Sequence, residues 1–314
     1  SKFILSDQGQ DNDLFGWPNV KDDINIHGNL SMAVPGYIHG VSNALNKFGT
    51  MSWKDVIEPA CSLSKRGLKA DWYATMRINM EADLLKKYKS SKNIFFHNDL
   101  PIVSKDPTNL DCIENIGLYN SYCILRDEGP ETFYTGELSQ ILEKDFEKIN
   151  AFITSDDLSD YKSKIYKTEK TLYRNSEVHV APGLNAGPSL INALNYLEKN
   201  WTAQSSNPDA HAYESYYKAL EYSYEKRLKE MGEPKENSCT THLSVVDKDG
   251  NMVSLTQTLL SVFGSRVVLP ESGILMNNGI MWFDPRPGKP NSLEADKKPL
   301  CNMCPTIVLY KSGT

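Results

Sequence analysis

The clearest chemical potential in the chain sits in the run Ser238-Cys239-Thr240-Thr241-His242. It follows a polar, breaker-rich stretch, Gly232-Glu233-Pro234-Lys235-Glu236-Asn237-Ser238, and opens an alternating apolar segment. Cleavage of the Cys239–Thr240 bond would give Thr240 a free α-amine. That amine can accept the proton of the residue's own hydroxyl, so one residue supplies both nucleophile and base. An α-amino group titrates at about 7.7–8.0, so part of it is already a base near neutral pH and a histidine is not required. The plain alternative is a strand that begins on threonines because β-branched residues favour strands. The dipeptide alone leaves both readings open.

The elements around this run must present it. Thr240–Val246 and Met252–Leu260 read as two strands joined by Asp247-Lys248-Asp249-Gly250-Asn251, a strong hairpin signal. A strand at Thr306–Tyr310 follows. Upstream the chain is helical. Tyr37–Phe48 has apolar residues at helical spacing, with Gly49 placed as a C-cap. Ser52 opens a second helix through Ile57 to Leu63, and 71–90, 137–150, Leu190–Lys199 and Tyr213–Met231 also read as helices. Leu172–Ala181 reads as one strand, and Gly183–Ser189 as a loop. Helices first and strands after, with one sharp boundary, predict a layered α/β or α+β fold.

Composition narrows the function classes. The chain has 314 residues, 40% apolar and 24% charged, with a formal net charge of -6. That charge offers no basic surface to nucleic acid. No apolar run approaches the roughly 18 residues of a membrane span. Ser1 to Phe15 is too polar for a secretory signal, which favours a cytoplasmic protein and leaves a secreted or periplasmic one open if a signal has been removed. Cys301 and Cys304 form a CxxC, but one such pair supplies two ligands where a structural zinc site needs four. A strand follows the pair, where a redox CxxC opens a helix. No metal and no cofactor are expected.

The run Thr240-Thr241-His242-Leu243-Ser244-Val245-Val246-Asp247-Lys248-Asp249-Gly250-Asn251 resembles the start of the small subunit in the γ-glutamyltranspeptidase family. The resemblance continues through Thr256-Gln257-Thr258-Leu259, Phe263-Gly264 and Gly273-Ile274-Leu275-Met276-Asn277-Asn278. Upstream, Val34-Pro35-Gly36, Glu128-Gly129-Pro130-Glu131, Phe133-Tyr134-Gly136 and Asp157-Leu158-Tyr161 are similar to large-subunit landmarks, in the same order. The likeness covers roughly residues 31–314. It implies an N-terminal-nucleophile hydrolase with a four-layer αββα sandwich. It also implies a precursor cut at Cys239–Thr240 into a large-subunit segment, 1–239, and the start of a small subunit, 240–314. Thr240 matches the nucleophile, and Thr258 the threonine that supports its hydroxyl. A three-residue loop pairing Asp247 with Asn251 would set Thr240 opposite Thr258. A two-residue Asp-Gly turn would pair Thr241 with Thr258 instead.

The same comparison finds departures in the substrate pocket. Leu260 stands at or next to the place of an Asn that accepts from the substrate's α-amine. In Asn277-Asn278-Gly279-Ile280-Met281-Trp282-Phe283, Gly279 falls in the substrate-binding segment and Trp282 takes the place of an amine-binding Asp. Cys301-Asn302 matches a Ser-Ser pair that binds the substrate carboxylate. An ammonium set against Leu and Trp without a carboxylate would keep its desolvation cost and lose its compensation. The family's carboxylate-gripping Arg and Gly-Gly oxyanion element have no recognisable match here. His242 is expected to be structural, the loop Asp284–Pro290 a rigid surface turn, and the Tyr-rich helix core and interface. The expected reaction is cleavage of a γ-glutamyl or related acyl amide. The substrate is a small molecule or peptide, and the acceptor is water, an amino acid or a dipeptide. A homo-oligomer is compatible with this reading. An acylase for non-amino groups, and a silent family member serving as a binding subunit, are the alternatives.

Overall fold

The computed structural model describes residues 3–10, 17–106, 108–231 and 239–310. The predicted linker 232–238 lies outside them. The chain divides into two compact units, one of Lys21–Lys164 with Leu259–Met281, the other of Ser1–Val20, Ile165–Thr258 and Trp282–Thr314.

The first of these units is built on helices. Tyr37–Phe48 forms as predicted and ends at Gly49, whose N–H returns to the Leu45 carbonyl at 2.8 Å. Gly49 is extended, not left-handed, and is needed for space: a Cβ there would lie 2.7 Å from the Leu45 carbonyl. Ser52 caps Trp53–Arg66 by accepting from Asp55 N–H at 3.2 Å. The helix expected over 71–90 is three pieces, Trp72–Met80, Ala82–Leu85 and Lys89–Phe95. Long-range bonds at the third piece accompany the break. Ser91 Oγ donates to the Arg266 carbonyl at 2.7 Å and accepts from Val268 N–H at 2.9 Å, and Ser90 Oγ donates to the Val268 carbonyl. Glu137–Lys148 forms as predicted, and its Leu138, Leu142 and Phe146 join Leu125, Phe133, Tyr134 and Leu158 in the core with Val267, Leu269 and Met276.

The partner of this helical core, Leu259–Met281, has little regular structure beyond its ends, so side chains supply the bonds that a ladder would. Asp145 is fully buried and accepts from the N–H groups of Glu271 and Ser272, both at 2.8 Å. Arg266 Nε donates to Glu81 at 3.0 Å and its Nη1 to the Gly264 carbonyl at 2.9 Å.

In the other unit, Leu172–Ala181 is not one strand but part of a hairpin, Glu169–Tyr173 and Ser176–Val180. It turns at Arg174 and Asn175, with φ 47 and 64. Two positive φ values are what a tight hairpin turn requires, and Arg is an unusual residue to supply one. The Arg174 guanidinium lies 4.4 Å from the Trp201 ring centroid and 5.2 Å from that of Tyr173, contacts that anchor it there. Thr306–Tyr310 adds to Ser176–Val180 antiparallel, giving a three-stranded sheet. The helices Gly187–Asn200 and Ala210–Met231 pack against one another beside it. The architecture is α+β, and the sheets among the described residues have two or three strands each. No helix among those residues is long and apolar enough to cross a membrane.

Replacing Asp145 with Ala leaves two buried N–H groups without an acceptor, a loss of about 2–4 kcal/mol. Urea unfolding of Asp145→Ala should show a loss of that size and Asp145→Asn a smaller one. A change below about 0.5 kcal/mol, the range of ordinary surface substitutions, would remove the carboxylate from this role.

Candidate functional site

Thr240 lies on the strand Cys239–Val246 and Thr258 on Met252–Leu260, and these two strands form a sheet of their own. The turn between them settles their register. Asp247 N–H donates to the Asn251 carbonyl at 3.1 Å, and Gly250 takes φ 81, which glycine adopts at no steric cost. This is the three-residue loop. It is braced by the Asp247 carboxylate, which accepts from Asn251 Nδ2 at 2.8 Å and from the N–H groups of Asn251 and Asp249 at 2.8 and 2.9 Å. The Asn251 side chain, then its N–H, hold that carboxyl below its ordinary value.

Counting outward from the Asp247–Asn251 pair puts His242 opposite Thr256 and Thr240 opposite Thr258. A side-chain contact agrees with the count: His242 Nδ1 and Thr256 Oγ1 are 2.8 Å apart. The other His242 nitrogen meets Ser244 Oγ at 3.1 Å. Alternation places Thr240, His242, Ser244, Ser254, Thr256 and Thr258 on one face, hydroxyls with one imidazole, joined at the turn end by Val246 and Met252, and Leu243, Val245, Val253 and Leu255 on the other. Ser254 Oγ also accepts from Thr306 N–H at 3.1 Å. The apolar residues Leu243, Val245 and Val246 suit a buried strand. The strand is exposed from Thr240 to Val246, because its one ladder neighbour among the described residues is Met252–Leu260.

The remaining predicted positions divide between the units. Leu260, in the helical unit, is 1% exposed and has φ 79, a conformation that costs a branched side chain energy and clusters at functional sites. Asn278, fully buried, pins the chain on both sides of it. Its N–H donates to the Leu259 carbonyl at 3.1 Å, its Oδ1 accepts from Ser261 N–H at 3.0 Å, and its Nδ2 donates to the Ile26 carbonyl at 2.7 Å. Asn277 works likewise, accepting from the N–H groups of Ala33 and Gly279 at 3.0 and 2.8 Å. Gly279 is thereby placed, and its missing Cβ would come 2.8 Å from Ala33 Cβ.

In the other unit, Trp282 and Leu300, the neighbour of Cys301, are tied through one buried amide. Asn291 Nδ2 donates to the Trp282 carbonyl at 2.6 Å, and its Oδ1 accepts from Leu300 N–H at 2.9 Å. The strip 301–303 runs along the loop 184–186, with Cys301 N–H to the Leu184 carbonyl at 2.9 Å and Ala186 N–H to that of Met303 at 3.1 Å. Burial pushes the Cys301 thiol up, against the opposing effects of Met303 N–H and Arg227. The loop Asp284–Pro290 is only partly surface: Asp284 is buried and takes Arg286 in a two-pronged pair at 2.9 and 2.7 Å. A cavity of about 80 Å³ lined by Arg174, Trp201, Asn207, Asp209 and Tyr216 contains none of the predicted site residues. Sequence reading had assigned no task to Asn291. It had assigned none to Arg227 either, although Ala212, Ser215, Ala219, Ser223 and Arg227 recur at the spacing of one buried helix face.

Comparison with known proteins identifies the family. The chain is 28% identical to a glutathione hydrolase proenzyme of Escherichia coli (strain K12), over 99% of this chain and 60% of that protein. It is 26% identical to an acylase proenzyme, ACY 1, of Pseudomonas sp. (strain SE83), over 93% of this chain and 58% of the relative. Among solved structures, a cephalosporin acylase from Bacillus halodurans superposes with TM-score 0.74 over 90% of this chain and 58% of its own, at 22% identity. A Helicobacter pylori γ-glutamyltranspeptidase does so with TM-score 0.64 over 74% of this chain and 63% of its own, at 25% identity. The chain thus spans about 60% of the length of the curated relatives it matches. A family model described as gamma-glutamyltranspeptidase matches residues 8–239 and 233–314, so the chain belongs to the γ-glutamyltranspeptidase family.

Proposed function

We propose that the protein is a self-processing amidohydrolase or acyltransferase whose nucleophile is Thr240, released by cleavage of the Cys239–Thr240 bond into segments 1–239 and 240–314. The architecture proposed for the whole protein is the family's four-layer αββα sandwich. The observation that carries the reading is the hairpin register, which sets Thr240 opposite Thr258 on a face of hydroxyl side chains. Directly opposed residues have Cβ atoms about 4.5–5.5 Å apart, within reach for one hydroxyl to orient the other. The freed α-amine of Thr240 takes the proton from Oγ1 as that oxygen attacks the substrate's acyl carbon. It then gives the proton to the departing amine, leaving an ester on Thr240. Water, or the amine of an amino acid or dipeptide, attacks that ester and restores the hydroxyl. Relatives named as proenzymes support a precursor.

Within this reading, an acylase for groups without an α-amine is favoured over a γ-glutamyl enzyme. Trp282 is the observation behind that preference, since an indole in place of a carboxylate offers an ammonium at most about 0.5–2 kcal/mol of cation–π attraction. That is less than the several kcal/mol an unpaired buried ion costs. The relatives include an enzyme named as an acylase as well as those named as glutathione hydrolases.

Intact mass measurement of the full-length protein should give two pieces divided before Thr240, and Thr240→Ala should give one unbroken chain. Cleavage at the same bond in that variant would remove Thr240 from its role. Activity of the cut enzyme should rise with pH through a single group near the α-amine value of about 7.7–8.0. His242→Gln should keep that limb while lowering stability or maturation, because both imidazole nitrogens are engaged within the hairpin. Disappearance of the limb, with normal maturation, would make His242 the base. Finally, wild type should process a glutaryl anilide faster than the γ-glutamyl one, and Trp282→Asp should move the ratio of kcat/KM values toward γ-glutamyl. A wild-type preference for γ-glutamyl of about tenfold or more would defeat the acylase assignment.

A further inference from the structure

The helix Trp72–Met80 is apolar on two opposite sides. Ile78 is buried in a core with Leu85, Phe95 and Val268, as an inward face requires. At about 100° per residue, Trp72, Met76, Met80 and Tyr73 fall together on the other side, within an arc of about 100°. All four are exposed, Trp72 at 77% and Met80 at 65%. The Tyr73 ring stands edge-on to that of Trp72, with 5.7 Å between centroids.

The face extends beyond the helix. Thr75 Oγ1 donates to the Ile102 carbonyl at 3.2 Å, and Ser104 Oγ donates to the Ala70 carbonyl at 2.9 Å. These bonds lay the strip 100–104 alongside Leu68–Lys69 and the start of the helix. Leu68, Leu100 and Val103 are exposed as well. Uncovered apolar side chains gathered in one region, unlike scattered single ones, mark a docking surface.

The surrounding charge says what docks there. Between Lys65 and Lys105 stand nine lysines and arginines against four acids, in a chain whose net charge is -6. Three of those acids are engaged. Asp71 caps the helix by accepting from Ala74 N–H at 2.7 Å, Glu81 accepts from Arg266, and Asp99 pairs with Lys92. Lys65, Arg66 and Lys69 border Leu68, and Lys105 borders Ser104; all four are exposed. Interfaces with folded proteins are depleted of lysine. At the surface of an anionic bilayer, by contrast, Trp and Tyr rings sit at headgroup level and lysines meet the phosphates.

We propose that the face made by Trp72–Met80 with Leu68, Leu100 and Val103 docks on an anionic phospholipid surface, lying in the interface without crossing it.

The test is vesicle co-sedimentation of the full-length protein. It should bind vesicles rich in phosphatidylglycerol, with its tryptophan emission moved to the blue, and bind pure phosphatidylcholine at least about tenfold more weakly. Raising salt from about 0.1 to 1 M shortens screening from about 10 to 3 Å and should release it. Trp72→Ser with Met76→Ser should weaken binding about tenfold or more and remove the emission shift, with an unchanged circular dichroism spectrum because both residues are exposed. Lys65→Gln with Lys69→Gln should weaken it by about tenfold with the apolar face intact. No binding, equal binding to both lipids, or unchanged binding in either double variant would overturn the proposal. Peroxide oxidation provides a check that needs no variant. Met76 and Met80 should oxidise readily in the free protein and be protected by phosphatidylglycerol vesicles. Protection without vesicles would mean that a second copy or another protein segment covers the face, and would overturn the proposal too.

Discussion

The pairing of Asp247 with Asn251 is the constraint from which the candidate chemistry follows. One extra residue in a hairpin loop shifts the ladder, and a shifted ladder changes which side chains meet across it. With the three-residue loop, Thr240 faces Thr258 and His242 faces Thr256. With a two-residue turn Thr241 would face Thr258. The loop is held in its observed form by four local features: Gly250 at positive φ, and three N–H donors closing on the Asp247 carboxylate. A carboxylate that accepts several bonds is a stable anion, in keeping with the depressed proton affinity of Asp247.

Beyond the hairpin, the segment from Leu259 to Met303 has little repeating structure, and its conformation is fixed by buried polar side chains. Asn278 holds the backbone around Leu260, Asp145 holds the turn at Glu271 and Ser272, Asn291 joins Trp282 to Leu300, and Arg227 holds Cys301. Asn278 (through Ile26), Asp145 and Arg227 each reach a segment remote in sequence, while Asn291 closes a short loop. A buried donor or acceptor left without its partner costs more than a made bond contributes, so these side chains specify one loop conformation more sharply than apolar packing would.

The two faces of the hairpin differ in kind. One carries hydroxyls and the His242 imidazole, whose two nitrogens meet Thr256 and Ser244. The other carries Leu243 and Val245, which are 39% and 52% exposed. The backbone position of Leu260 marks the end of this hairpin as a strained place as well, since a left-handed leucine persists only where its surroundings hold it.

Much of this was legible in the residues themselves. Strong helical periodicity located Tyr37–Phe48, Glu137–Lys148 and the Tyr-rich helix, and alternation located Met252–Leu260 and Thr306–Tyr310, because these patterns are local consequences of 3.6- and 2-residue repeats. The family was legible too, as a run of side chains in fixed order. The helix over 71–90 was misread because its pieces are held by Ser90, Ser91 and Arg266, contacts with residues some 175 positions away. The hairpin turn at Arg174 was missed because the contacts that hold an arginine at positive φ come from Trp201 and Tyr173. Sequence alone left the hairpin loop at two or three residues, and tertiary structure chose between them. It alone revealed Asn278, Asn291 and Arg227, since a polar residue declares its partner only when folding brings the acceptor within hydrogen-bond distance. Local pattern thus determined which residues are candidates for chemistry, and long-range bonds decided how the chain around them is held.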